Sequence, residues 1–334
     1  MDQSPRTTIS VIGNGSWATA LIKILLEQPQ IQIHWWMRDE ETVDYIKEFH
    51  HNPKYLSSVD FPMERLFPTH DLHACIHQGD WVLVAVPSAF VGGVLSNVQL
   101  PPEKKYITAI KGIEPKSKRV IAEFLHEEHR IPMDHIALIS GPCHAEEVAL
   151  EKLSYLTVSA LDESITKELA KKLTCRFINV MQTTDLIGAE YASVLKNIYA
   201  IGAGIAHGLG YGDNFQAVLV SYAIREMKAF LHALHQESRD VKESAYLGDL
   251  LVTCYSQFSR NRTFGNMLGK GYSVKSAQLE MNMVAEGYYA TDLVYQKAKE
   301  IGLSMPVVEA VHAVAYEGKL PRKIFKVLAE EQLY

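Results

Sequence analysis

Lys196 stands on a stripe of alanines. In the helical run from Asp185 to Gly204 its neighbours one turn back, one turn on and two turns on are Ala192, Ala200 and Ala203. Close helix packing accounts for the alanines but leaves the lysine unexplained. A charge among methyl groups implies space kept for a ligand, and burial would lower the amine's pKa until it can give or take a proton near neutrality. A second constellation, Ser259-Arg260-Asn261, lines up a hydroxyl, a guanidinium and an amide. Arginine's planar fork suits phosphate, and the two neutral donors add to it. Phe258 and Phe264 flank the cluster and predict partial enclosure. Lys111, beside Gly112 at the end of an apolar strand, could hold an anion. Asp249, in Gly248-Asp249-Leu250, supplies a carboxylate at a helix start. Cys143, in Gly141-Pro142-Cys143, has no base dedicated to it and reads as a small residue that tolerates a close ligand.

These groups need elements to position them, and the N-terminus shows which. Thr8 to Ile12 is a β-branched run ending in Gly13-Asn14-Gly15, followed by Ser16, read as an N-cap, and the helical Trp17-Ala18-Thr19-Ala20-Leu21-Ile22. Strand, Gly-x-Gly and helix together aim amide N–H groups and a helix dipole at a pyrophosphate. Ala18 stands at the third glycine position, where only close helix–strand packing is asked. A plain tight turn is the bland alternative. The next strand, Ile31 to Trp36, ends about 20 residues on, where a dinucleotide's adenosine ribose lies. Arg38 leads the Met37-Arg38-Asp39-Glu40 sequence there and favours NADP(H). The acids after it suit the start of the next helix, and NAD(H) remains possible.

Further strands are expected at Asp80–Val86, Tyr106–Ile110, His135–Ser140, Tyr155–Ser159 and Arg176–Val180, with helices between them. That alternation predicts an α/β fold, a doubly wound parallel sheet. Near Asp185 strands give way to helical periodicity, so the expected domains are 1–188, which binds dinucleotide, and an all-helical 189–334, which binds substrate. A length of 334 residues fits two domains, and 47% hydrophobic residues can fill their cores. A net charge of −6 gives no reason to expect nucleic acid or an anionic membrane as partner. Four dispersed cysteines suggest neither zinc nor a disulfide framework. His50-His51 and His126-Glu127-Glu128-His129 lack metal-ligand spacing, so no metal is expected. Neither a signal peptide nor a membrane-spanning stretch is read in the chain, and a cytoplasmic protein is expected.

Taken in order, Gly13-Asn14-Gly15-Ser16-Trp17, Lys111-Gly112, Gly141-Pro142, Leu195-Lys196-Asn197, Gly248-Asp249-Leu250, Ser259-Arg260-Asn261 and Val284-Ala285-Glu286-Gly287 resemble bacterial NAD(P)-dependent glycerol-3-phosphate dehydrogenase over nearly the whole chain. The resemblance implies a Rossmann-type N-terminal domain, a helical C-terminal domain, a cytoplasmic homodimer and a role in supplying phospholipid synthesis. It implies the reversible reduction of dihydroxyacetone phosphate to sn-glycerol 3-phosphate. Gly13, Gly15, Ser16, Trp17, Arg38, Lys111, Ala145, Arg260, Val284 and Glu286 would bind the dinucleotide. Lys111, Gly141, Cys143, Lys196, Asp249, Ser259, Arg260 and Asn261 would bind the substrate, with Lys196 as acid and base. The chain departs from the family's pattern at Ala18, Cys143, Ala192, Ser193 and His207. Two other readings are a related two-domain reductase of a small keto acid and a non-catalytic dinucleotide-binding redox sensor.

Overall fold

The computed structural model describes residues 7–281 and 285–332; Val284, expected at the cofactor, lies outside the described residues. The chain divides into two compact units, Met1–Ile110 with Ile121–Leu186, and Lys111–Val120 with Ile187–Tyr334. Among the described residues, ten strands run in chain order: β1 (Thr7–Ile12), β2 (Ile31–Trp36), β3 (Leu66–Thr69), β4 (Trp81–Val84), β5 (Lys105–Thr108), β6 (Ile113–Glu114), β7 (Arg119–Val120), β8 (Ile136–Ser140), β9 (Ser154–Ala160) and β10 (Ile178–Thr183).

The first unit is built on an eight-stranded sheet ordered β10-β9-β8-β5-β4-β1-β2-β3. The strands from β8 to β3 are parallel, with Val11 opposite Trp35 of β2 and Leu83 of β4. This is the doubly wound, Rossmann-like arrangement, and its strand order reverses between β1 and β4, the point at which such sheets bind ligands. β9 differs from the expected parallel sheet: it pairs antiparallel with β8, and β10 follows it in parallel. The 13 residues that join β8 to β9, 141–153, hold a single short helix, Ala145–Ala149. That helix, five residues and about 7.5 Å long, cannot run back the length of a strand as the crossover between parallel neighbours does. The central strands are wholly buried because helices cover both faces, which explains their uninterrupted apolar sequence. β3, with Pro68 and a four-residue span, was not foreseen and forms the far edge.

Among its described residues the second unit has helices and one strand pair, the β6–β7 hairpin, which pairs Ile113 with Val120. The sequence reading leaves this hairpin with the first domain. Its apolar residues Ile113 and Val120 instead belong to the helical unit's core. The 23-residue helix Leu186–Gly208 runs through that core and is buried along most of its length. It meets the helix Arg260–Gly269 backbone to backbone. A Cβ on Gly204 would stand 2.0 Å from the Arg262 carbonyl oxygen, and one on Gly265 2.0 Å from that of Ile201. Glycine is therefore required at both, and the crossing locks the register of the two helices that carry Lys196 and the Ser259 cluster. Among the described residues, no helix is long and apolar enough to cross a membrane.

Candidate active site

In the first unit, the turn after β1 sits at the sheet's switch point. Gly13 adopts φ +117°, and a Cβ there would meet the Ala85 carbonyl oxygen at 2.7 Å, just beyond β4. Gly15, not Ser16, is the N-cap of the helix Ser16–Leu26; its backbone is extended and no side chain caps the helix. Ser16 is instead the first helical residue. Ahead of Gly15 is open space, since a Cβ there would touch nothing within 4 Å. An uncapped helix N-terminus behind a glycine turn is a ready site for anionic phosphate. The turn fits the pyrophosphate of a dinucleotide, and Ala18, fully buried, allows the helix to pack closely on the sheet.

At the end of β2, Arg38 is exposed. The neighbouring Asp39 carboxylate accepts from Thr42 Oγ1 at 2.6 Å and pairs with Lys54 at 3.4 Å. The Thr42 hydroxyl, with Lys54 behind it, holds Asp39 below the usual carboxylate range. Past β8, Gly141 turns the chain at φ +104°, Cys143 is buried, and Ala145 starts the next short helix.

In the second unit, Lys196 is 3% exposed and forms an ion pair with Asp249, itself 1% exposed. Burial lowers the Lys196 amine to about 7; Asp249 pulls it back up, and the nearby charge of Lys111 pushes it further down. Asp249 opens the helix Asp249–Tyr255, entered through a single wide turn at Ser244–Gly248. Thr253, one turn on, donates to the Asp249 carbonyl at 2.6 Å and lies 3.5 Å from its carboxylate. Asn197 donates to the Lys111 carbonyl at 3.0 Å, which fixes the lysine's backbone beside Lys196. Sequence reasoning missed Thr253 and Asn197 as site residues. Their signals were adjacency to Lys196 and a one-turn spacing from Asp249.

Ser259 caps the helix Arg260–Gly269, accepting from the Arg262 N–H at 3.3 Å. Its expected role as a substrate donor is thus shared with a structural one. Asn261 is 8% exposed, and its Oδ1 accepts from the Gly287 N–H at 2.9 Å, next to Glu286 at the start of the helix Glu286–Glu300. That bond turns the Nδ2 donor away from Gly287. A side chain on Gly287 would collide with the Asn197 carbonyl oxygen at 2.5 Å, so the Lys196, Arg260 and Glu286 helices meet closely at this point. The flanking phenylalanines divide: Phe264 is buried, Phe258 half exposed. Lys111, Lys196, Asp249 and Asn261 are thus brought into one unit, while Gly13, Arg38, Gly141 and Cys143 belong to the other.

A Rossmann unit with a glycine turn at its switch point, followed by a helical unit with a buried lysine–aspartate pair, defines the class: a two-unit, dinucleotide-dependent dehydrogenase. Residues 8–166 match the family model described as NAD-dependent glycerol-3-phosphate dehydrogenase N-terminus, and residues 185–326 match that of its C-terminus. A protein named glycerol-3-phosphate dehydrogenase (NAD(P)+) from Bacillus licheniformis is 38% identical over 94% of this chain and 91% of its own. One of the same name from Oceanobacillus iheyensis is 34% identical over 96% and 93%. The crystal structure of glycerol-3-phosphate dehydrogenase from Coxiella burnetii superposes with a TM-score of 0.91 at 30% identity, covering 98% of this chain and 99% of that one. The chain belongs to the NAD-dependent glycerol-3-phosphate dehydrogenase family.

Proposed function

We propose that this protein reduces dihydroxyacetone phosphate to sn-glycerol 3-phosphate with NAD(P)H, reversibly, and so supplies glycerol phosphate for phospholipid synthesis. The observation that carries the reading is the buried Lys196–Asp249 pair with Lys111 beside it. A non-catalytic dinucleotide sensor has no use for a lysine held at a titratable pKa in a dry helical core. When bound, the nicotinamide supplies or accepts a hydride. Lys196 gives its proton to the carbonyl oxygen at C2 as that oxygen gains charge, and takes it back when glycerol phosphate is oxidised. Asp249 raises the amine's pKa against the effect of burial and aims it. Arg260 and the Nδ2 of Asn261 hold the phosphate, with Ser259, Gly141 and Cys143 around the substrate and Lys111 adding positive charge. Cys143 replaces the family's usual hydroxyl and offers a weaker donor.

Gly13, Gly15, Ser16, Trp17, Ala145, Val284 and Glu286 are assigned to the dinucleotide. NADP(H) is the preferred form in this reading. Asp39, the acid that would take a ribose hydroxyl, is already engaged by Thr42 and Lys54, and Arg38 is exposed beside it. A cytoplasmic homodimer completes the proposal. The test follows absorbance of the reduced nicotinamide with dihydroxyacetone phosphate, its unphosphorylated form and a small keto acid. Oxidation of NADPH with the phosphorylated ketone alone is expected, with NADH slower. Turnover of the keto acid instead would move the reading to a related reductase, and equal rates with NADH would discard the Arg38 argument.

A further inference from the structure

The carbonyl groups of the Gly13-Asn14-Gly15 turn are all taken from the protein's interior. Trp35 Nε1 donates to the Gly13 carbonyl at 2.7 Å. Asn52 Nδ2 donates to the Asn14 carbonyl at 3.0 Å. The Gly15 carbonyl accepts from both the N–H and the hydroxyl of Thr19, each at 3.0 Å. Trp35, Asn52 and Thr19 are each 0% exposed. In a trans peptide the N–H points opposite to the C=O. Holding the Gly13 and Asn14 carbonyls inward therefore turns the Asn14 and Gly15 N–H groups outward, on the side where Gly15 borders open space.

Asn52 does this while using its whole carboxamide. Nδ2 also donates to Thr19 Oγ1 at 3.0 Å, and Oδ1 accepts from the N–H groups of Lys54 and Tyr55 at 3.0 and 3.1 Å. The chain thus commits a buried amide, 38 residues further on, to one carbonyl of a glycine turn. A glycine turn left alone would sample many peptide orientations.

We propose that Trp35 and Asn52 are positioning residues for the cofactor's pyrophosphate: they lock the peptide planes of the turn so that its amides face the phosphates before binding. The inference rests on the reading of this turn as the dinucleotide site. Pre-organisation of this kind strengthens binding by removing the ordering cost from the binding step.

The test uses the full chain with Asn52→Asp and Trp35→Phe. Asn52→Asp keeps an acceptor for Lys54 and Tyr55 but replaces the donor facing Asn14 with a second acceptor. Trp35→Phe keeps a ring and removes the N–H, and it serves where Asn52→Asp does not fold. Direct binding of NADPH and NADH is measured with steady-state kinetics and melting temperature. Each variant that folds is expected to weaken both dinucleotides by the same factor, about tenfold. The kcat at saturation and the KM for dihydroxyacetone phosphate should stay within about threefold of wild type, because the phosphates are remote from the hydride and proton steps. A lower melting temperature with unchanged dinucleotide affinity would show a merely structural bond and overturn the proposal. Weakening of NADPH alone would overturn it too, placing the effect at the 2′-phosphate. A wild-type chain that binds neither dinucleotide removes the underlying reading as well.

Discussion

Lys196 and Asp249 are 53 residues apart in sequence and form an ion pair away from water, at 3% and 1% exposure. An ion pair in such a place returns little net stability, because the cost of desolvating both charges offsets their attraction. Replacing it with apolar residues would serve the core as well. Its presence is best explained by the chemistry it allows: a lysine at about 7 exchanges a proton at physiological pH, which one at its ordinary value cannot.

Lys196→Ala is expected to lower kcat by about 10²–10⁴, the usual loss for a general acid. The fold and dinucleotide affinity should persist, since the glycine turn lies in the other unit. Steady-state kinetics beside a circular dichroism spectrum check this. Near-normal turnover would take Lys196 out of the mechanism.

The pH profile carries the sign of the Lys196 shift. Reduction needs the protonated amine, so its rate should fall as pH rises through about 7, and oxidation should rise through the same range. Asp249 raises the amine's pKa, so Asp249→Asn should drop it further. The reduction limb then moves toward acid by about one unit or more, and the variant loses more activity at pH 8 than at pH 6. A profile of unchanged position would mean that Asp249 does not set the lysine's charge.

Much of this was legible because it depends on local patterns. The glycine turn, the buried strands and Lys196 on its alanine stripe each follow from residues within two helical turns or one strand. What was not legible depends on long-range pairing. Nothing near Lys111 says that the next nine residues leave the sheet, because the partners of Ile113 and Val120 are helices far along the chain. The antiparallel turn of β9 was hidden in the same way, since a buried strand reads alike in either direction. Asn52, between the His50-His51 pair and Pro53, carries no local sign of burial, and only the folded chain puts its carboxamide on Asn14. Ser16 was read as a cap by type, yet the extended backbone falls one residue earlier, at Gly15.

Arg260→Ala should act on substrate capture. Removing a guanidinium from a bound phosphate costs about 1.5–3 kcal/mol, roughly ten- to a hundredfold, and should appear mainly as a raised KM for dihydroxyacetone phosphate. An unchanged KM in a substrate titration at saturating NADPH would place the phosphate elsewhere.

Glu226 gives a prediction about stability rather than turnover. It lies buried on the helix Asp213–Leu234, and its Oε1 accepts from the Val307 N–H at 2.6 Å, in the first turn of the helix Pro306–Ala315. Burial pushes its carboxyl up to about 8, against the Val307 and Val308 amides, which pull it down. Between the ordinary value of 4.5 and about 8, the folded chain holds a proton that the unfolded chain has released. Stability therefore falls as pH rises through that window, and the contribution is fully present only below it. Glu226→Gln keeps the acceptor for Val307 and cannot ionise. Melting curves from pH 5 to pH 8.5 should show wild type losing about 2 °C or more relative to Glu226→Gln, as about 1 kcal/mol or more of differential stability implies for a unit of this size. Parallel curves for the two proteins would mean that Glu226 is charged in the folded core throughout, held by the helix N-terminus alone.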